Sequence, residues 1–241
     1  MNRTIALLLP LIAAVSYISA SRGATTTDPA VPAQFWAASV QAETNKDYDE
    51  ALKQVSSYQQ AGGDSFMVSM RTAWLYYLKA NYAQAEQFYI SASSLKPSAL
   101  NPVLGLLTVA QATQDKKKVE LAGEGVLRLD PTNYRANMAL GGVYLADHDY
   151  LRALSAYRRV LVSYPDDNDA RSGGAWAAYY LGQKSEARDG FWTILTMVPT
   201  YPYAQRGFQL ASGMNMGGLR GSSLQPSSVQ PSSGLQPSGG L

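Results

Sequence analysis

Cysteine is absent from the 241 residues, and histidine occurs once, at His148. The first absence excludes disulfides, thiol nucleophiles and a lipid-modified cysteine; together the two leave no recognisable metal set, because structural metal sites draw on both residue types at short spacings. No catalytic, cofactor-binding or metal-binding residue is assigned. Charge is also scarce, at 16% of residues, with Lys and Arg numbering 20 against 18 Asp and Glu. A chain this close to neutral lacks the clustered basic surface that nucleic acid requires. Long apolar runs are missing too, except at the start.

That exception spans residues 4–20, preceded by Asn2 and Arg3 and followed by the small residues Ser21 and Gly23. A short positive start, an apolar stretch and a small-residue exit are the features of an export signal, with cleavage before Ser21 or before Ala24. The stretch is broken by Pro10 and is short for a membrane span of about 20 residues, so membrane association is expected only if the signal is retained. Residues 1–23 are accordingly read as a signal peptide and 24–31 as a linker, giving an exported protein that is periplasmic or secreted. Loss of Arg3 and Arg22 with the signal leaves the formal charge of the remainder at zero.

What the chain has in place of chemical motifs is a period. Proline stands at Pro97, Pro131, Pro165 and Pro199, and alanine at Ala51, Ala85, Ala153 and Ala187, on a step of 34 residues with one step skipped between Ala85 and Ala153. A step of this length marks a tandem helical repeat, in which each unit leans on its neighbours. With the proline as position 32, five units follow without insertion: 32–65, 66–99, 100–133, 134–167 and 168–201. The fourth carries Leu140, Gly141, Tyr144, Tyr150, Ala153, Tyr157, Val160 and Pro165 in phase, and the second carries Ala73, Tyr76, Tyr82, Ala85, Tyr89, Ala92 and Pro97.

This pattern resembles the tetratricopeptide repeat family. The resemblance implies an all-α fold, a right-handed α-solenoid of five helix-turn-helix units, with small residues at positions 8 and 20 where two helices cross. The fit has gaps. The family's aromatic at position 4 survives only as Phe35, and the third unit has Val119, Gly123 and Gly125 in its second helix. Interior glycine costs about 1 kcal/mol relative to alanine, so that helix is expected to be the weakest. The spacing of Tyr203, Phe208 and Leu210 predicts a capping helix over 202–216. Residues 217–241, with Leu-Gln-Pro-Ser-Ser, Val-Gln-Pro-Ser-Ser and Leu-Gln-Pro-Ser-Gly in succession, read as a disordered tail.

The resemblance further implies that first helices line a concave groove. Applied to this chain, the groove-facing positions supply Trp36, Met70, Trp74, Tyr77, Leu104, Met138, Leu145, Trp176 and Tyr179. Trp74 with Tyr77 recurs as Trp176 with Tyr179, 102 residues on, and residues three apart on a helix share a face. Aromatics with a polar edge concentrate binding energy at interfaces. The same rings could instead thicken the core between successive first helices. The expected activity is non-enzymatic binding of a protein or peptide, with self-association through end-to-end packing as the alternative. A carboxylate-clamp groove is not expected, because the aligned positions supply only Asn101 and Arg135. Gly63-Asp64-Ser65 has the look of an esterase nucleophile block, but the one histidine falls more than two units away, so a helix stop followed by an Asp64 or Ser65 cap is the simpler reading.

Overall fold

The computed structural model describes residues 30–213. The residues read as a signal peptide, nearly all of those read as a linker, the last three assigned to the capping helix and those read as a disordered tail lie outside that range. Eleven helices and no strands occur among the described residues: α1 (Ala30–Thr44), α2 (Tyr48–Gln60), α3 (Ser65–Leu78), α4 (Tyr82–Leu95), α5 (Leu100–Ala112), α6 (Lys116–Leu129), α7 (Tyr134–Ala146), α8 (Tyr150–Ser163), α9 (Asn168–Tyr180), α10 (Lys184–Met197) and α11 (Pro202–Ala211). The architecture is an α-solenoid: consecutive helices pack pairwise along the chain, and α11 lies on both α10 and α9.

Local chemistry marks where seven of the eleven helices begin. Asp47, Asn81, Asp115 and Asp149 share position 16, and each side chain accepts a hydrogen bond from the backbone N–H three residues on, opening α2, α4, α6 and α8. Asp64, Asn133 and Asp167 do the same for α3, α7 and α9. Each such cap satisfies an otherwise orphaned donor and is worth about 1 kcal/mol. Ser65 is simply the first residue of a helix capped by Asp64, which accounts for the esterase-like tripeptide.

The turn inside every unit has one residue in the left-handed region, always at position 15: Lys46 (φ 59°), Ala80 (56°), Gln114 (55°), His148 (62°) and Gly182 (80°). Only the fifth unit uses the residue that adopts this conformation without cost; a side chain there costs about 1 kcal/mol.

The crossing residues are buried without exception. Ser39, Ala73, Leu107, Gly141 and Ala175 at position 8 face Ala51, Ala85, Val119, Ala153 and Ala187 at position 20. Small side chains here let the helix axes approach. The third unit, with Leu107 and Val119, is the exception in size.

Between units the packing follows a rule absent from the sequence pattern. The aromatic at position 24 of one unit lies over a glycine at position 6 of the next: Tyr89 over Gly105, Tyr157 over Gly173 and Phe191 over Gly207. In each case a Cβ on the glycine would overlap the ring. The third unit has Gly123 where the ring should be, and Leu140 of the following unit fills the space: a Cβ at Gly123 would lie 2.8 Å from Leu140 Cγ. Helix α6 nonetheless runs unbroken, with Gly123 and Gly125 both buried. Its glycines belong to the packing.

The missing position-4 aromatic has a substitute as well. Asn137 Nδ2 donates to the carbonyl of Pro131 (3.2 Å), Arg171 to that of Pro165, and Gln205 Nε2 to that of Pro199 (2.7 Å). In three successive places a polar side chain ties the inter-unit turn through the carbonyl of the periodic proline. These carbonyls would otherwise depend on water.

Burial has a consequence for alkaline stability. It pushes the Tyr89 hydroxyl up to about 12, with the neighbouring Tyr77 adding to the shift, and raises Tyr157 by the same chief cause. The folded state therefore holds these protons more tightly than the unfolded chain does. Their contribution is complete below the ordinary tyrosine value of 10.0 and is lost as pH rises through the folded values. Chemical denaturation midpoints are expected to stay level up to about pH 10 and then fall steadily towards about 12.

Candidate functional site

The first helices α1, α3, α5, α7 and α9 carry the residues expected in the groove. Trp36, Trp74, Tyr77, Leu104, Met138, Leu145, Trp176 and Tyr179 are all partly exposed. Met70 departs from the expectation. It is 7% exposed and packs with Ala73, Ala85 and Tyr89, because the small residues at the α3–α4 crossing leave room for it beneath the surface.

Two aromatic clusters result, of different character. The first joins α1 to α3. Trp74 lies against Tyr77 with near-parallel rings 5.6 Å apart, and its indole N–H donates to Glu43 Oε1 at 2.8 Å. Glu43 also pairs with Arg71, whose Nε donates to Ser39 Oγ at 3.1 Å and whose guanidinium lies 5.8 Å from the centre of the Trp36 ring. The Glu43 and Arg71 side chains retain 24% and 11% of their exposure, so the pair is largely withdrawn from water and fixes the indole edge. The face of Trp74 is presented by an ionic frame.

The second cluster is built almost wholly of rings. Trp176 meets Tyr179 edge-on at 5.9 Å, stacks on Tyr180 at 6.0 Å and rests on buried Phe191 at 5.1 Å. Tyr180 in turn stacks on Tyr150 at 4.8 Å, and the Tyr150 hydroxyl lies 2.7 Å from His148 Nδ1. Tyr180 keeps 44% of its exposure. Five aromatic side chains from α8, α9 and the turn between α7 and α8 thus form one continuous surface extending from the first helix onto the turn edge. Offset and edge-on contacts of this kind add about 0.5–1.5 kcal/mol per pair beyond burial and hold the platform in shape.

Between the clusters the surface is quieter. Thr108 turns its hydroxyl back to the Leu104 carbonyl (2.8 Å) and accepts from Arg135 Nη2 (2.7 Å). Gly142 has only the Tyr157 hydroxyl near it, at 4.0 Å from where a Cβ would be. The two aromatic patches therefore flank a shallower middle, in which Thr108 and Gly142 stand among Leu104, Met138 and Leu145.

Several participants escaped the sequence reading. Arg71 occupies position 6, which is glycine or alanine in the other four units, and that irregularity is the signal that was available. Tyr150 and Tyr180 were equally open to notice, since Tyr180 follows Tyr179 at the end of the same first helix. On the opposite, second-helix side the surface shows shallow depressions lined by residues such as Leu151, Arg158 and Val162. No group of three or more potential metal ligands occurs among the described residues, and no helix among them is long and apolar enough to cross a membrane.

Comparison with known proteins places the architecture. No family model matches the sequence, and no curated protein matches it. Solved structures do. A tetratricopeptide repeat protein from Parabacteroides merdae superposes with a TM-score of 0.63 at 14% identity, covering 76% of this chain and 74% of its own. The MamA protein matches with a TM-score of 0.59 at 15% identity over 79% of this chain and 98% of its own. YrrB, described as a tetratricopeptide repeat protein with an unusual peptide-binding site, matches with a TM-score of 0.61 at 14% identity, over 76% and 92%. At such identities the likeness is one of fold, and the chain has the all-α solenoid architecture of tetratricopeptide repeat proteins.

Proposed function

We propose that the protein is an exported, non-enzymatic scaffold that holds an extended or helical segment of another protein along its concave face. The observation that carries this reading is the repetition of an indole-phenol pair at one phase of the solenoid, partly exposed both times: Trp74 with Tyr77 and Trp176 with Tyr179. Large rings with a polar tip, already ordered by their neighbours, bind with little further loss of conformational freedom. The kinship of fold with a peptide-binding repeat protein supports the reading. Export rests on the apolar start of the chain.

Replacing Trp74 and Trp176 together with alanine is expected to abolish capture of the native partner in crosslinking from the cell envelope, while the far-ultraviolet helical signal persists. Undiminished capture by a folded double variant would overturn the groove as the binding surface.

A second reading follows from the two ends of the solenoid. Helix α11 covers the last unit, whereas on α1 Ala33, Ala37 and Val40, which share one face, are all exposed, Val40 by 42%. An apolar end surface suits packing against a second copy in an envelope assembly. Sedimentation velocity at rising concentration should then show a shift to larger species that Ala37→Glu with Val40→Glu abolishes; a concentration-independent monomer sinks this second reading.

A further inference from the structure

The aromatic platform around Trp176 has a neighbour in the sequence that matches its chemistry. Helix α11 stands where the first helix of a sixth unit would: it lies against α9, its Gly207 receives Phe191 as Gly105 and Gly173 receive their rings, and its Gln205 ties Pro199 as Arg171 ties Pro165. In this register Gly213 stands one period after Tyr179. Packed helices lie about 8–10 Å apart, so the chain leaves the described structure one helix away from the cluster of Tyr150, Trp176, Tyr179 and Tyr180. The exit is beside the more extensive of the two aromatic patches.

Beyond that exit the sequence repeats one short phrase. Leu224-Gln225-Pro226-Ser227, Val229-Gln230-Pro231-Ser232 and Leu235-Gln236-Pro237-Ser238 each set an aliphatic residue two positions before a proline. The segment from residue 214 onward carries one charge, Arg220. Proline rings and aliphatic side chains are the partners that aromatic-lined grooves select, because they present apolar area on a backbone with little entropy left to lose. Leu224 lies eleven residues after Gly213, a reach of up to about 36 Å. That is ample for a platform next to the exit. Tethering at this range raises the local concentration of the segment to the millimolar scale, so a weak contact is sufficient.

We infer that the Leu/Val-Gln-Pro-Ser phrases of residues 224–238 dock in cis on the Tyr150–Trp176–Tyr179–Tyr180 platform, so that the protein covers one end of its own groove with an intramolecular proline-containing ligand. The inference rests on the reading of the concave aromatic face as a binding surface. It adds a competitor: a partner that engages Trp176 must displace the tail, whereas one confined to the Trp74 cluster need not.

The absence of native cysteine makes the test clean. Ser233→Cys in the full chain gives a single attachment point for a nitroxide, and the four tryptophans give four indole N–H resonances. The expected result is selective loss of the Trp176 indole signal, with those of Trp36 and Trp74 retained and the effect reversed on reducing the nitroxide. Pro226→Ala, Pro231→Ala and Pro237→Ala together should restore the signal without moving the unfolding midpoint. Uniform broadening, or broadening confined to Trp36 or Trp74, overturns the inference. So does loss of the signal only when spin-labelled and isotope-labelled chains are mixed, which would make the contact one between copies. Partner capture by the proline variants separates the outcomes: retained capture without tail docking removes the competitor and leaves the groove standing, and enhanced capture is expected if the tail competes.

Discussion

Tyr157→Ala should lower the unfolding free energy by about 3–5 kcal/mol. Tyr157 keeps 3% of its exposure and lies among glycines from two successive first helices. A Cβ on Gly141 would fall 2.8 Å from Tyr157 Cζ, one on Gly173 would overlap the ring, and one on Gly174 would touch Tyr157 Cβ at 3.5 Å. Glycine has no side chain with which to fill the void the ring would leave, and rigid helices cannot close over it. Tyr157→Phe is expected to cost less than about 1 kcal/mol, since it preserves the ring and removes only the hydroxyl. The converse change, Gly173→Ala, should be damaging although alanine is the better helix former. Urea titrations of the three variants test this; an alanine variant at 157 within about 1 kcal/mol of the parent would show that the glycine pocket collapses.

Phe191→Ala should carry a loss of the same order, about 3–5 kcal/mol, but in a different place. Phe191 is fully buried between Trp176, 5.1 Å away, and Gly207 of the cap. Units in a solenoid are held by their neighbours, so the deficit falls on the joint that loses its ring. Amide exchange in α11 should rise to the level of an unfolded segment while α1–α5 keep their protection. Uniform loss of protection from α1 to α11 would mean that the chain unfolds as one cooperative block and that the cap is no separate unit. The Trp176 cluster rests on the same ring, which makes partner capture a second readout of this variant.

How much of this was legible before the structure depends on the kind of relation involved. The helical period and a cap at Asp64 or Ser65 lie along one stretch of chain and follow from proline, small-residue and capping patterns; the structure chooses Asp64. Relations between units are less accessible. That Tyr89, Tyr157 and Phe191 at position 24 require glycine at position 6 of the next unit is a statement about two surfaces meeting, and the periodic prolines say nothing about it. The same holds for the lapse at Gly123, which looks like a weak helix until Leu140 is seen to occupy its space. Met70 was assigned to the groove by phase alone; the small size of Ala73 and Ala85 draws it inward. Arg71 and Glu43 were visible as charges, but their joint hold on Trp74 depends on α1 and α3 lying side by side.

The ion pairs joining successive units have a mechanical implication. Lys79 with Asp49, Lys118 with Glu86, Lys116 with Asp147, Arg152 with Glu120 and Arg158 with Glu186 each bridge one unit to the next across well-solvated surface. Singly such pairs are worth about 0–1 kcal/mol and weaken as salt shortens the screening length below about 8 Å. Collectively they act as a row of soft springs along the solenoid, with the glycine-seated rings as its stiff hinges. Raised ionic strength is therefore expected to loosen the joints between units, and with them the spacing of the first helices, altering the fit even to a ligand that carries no charge.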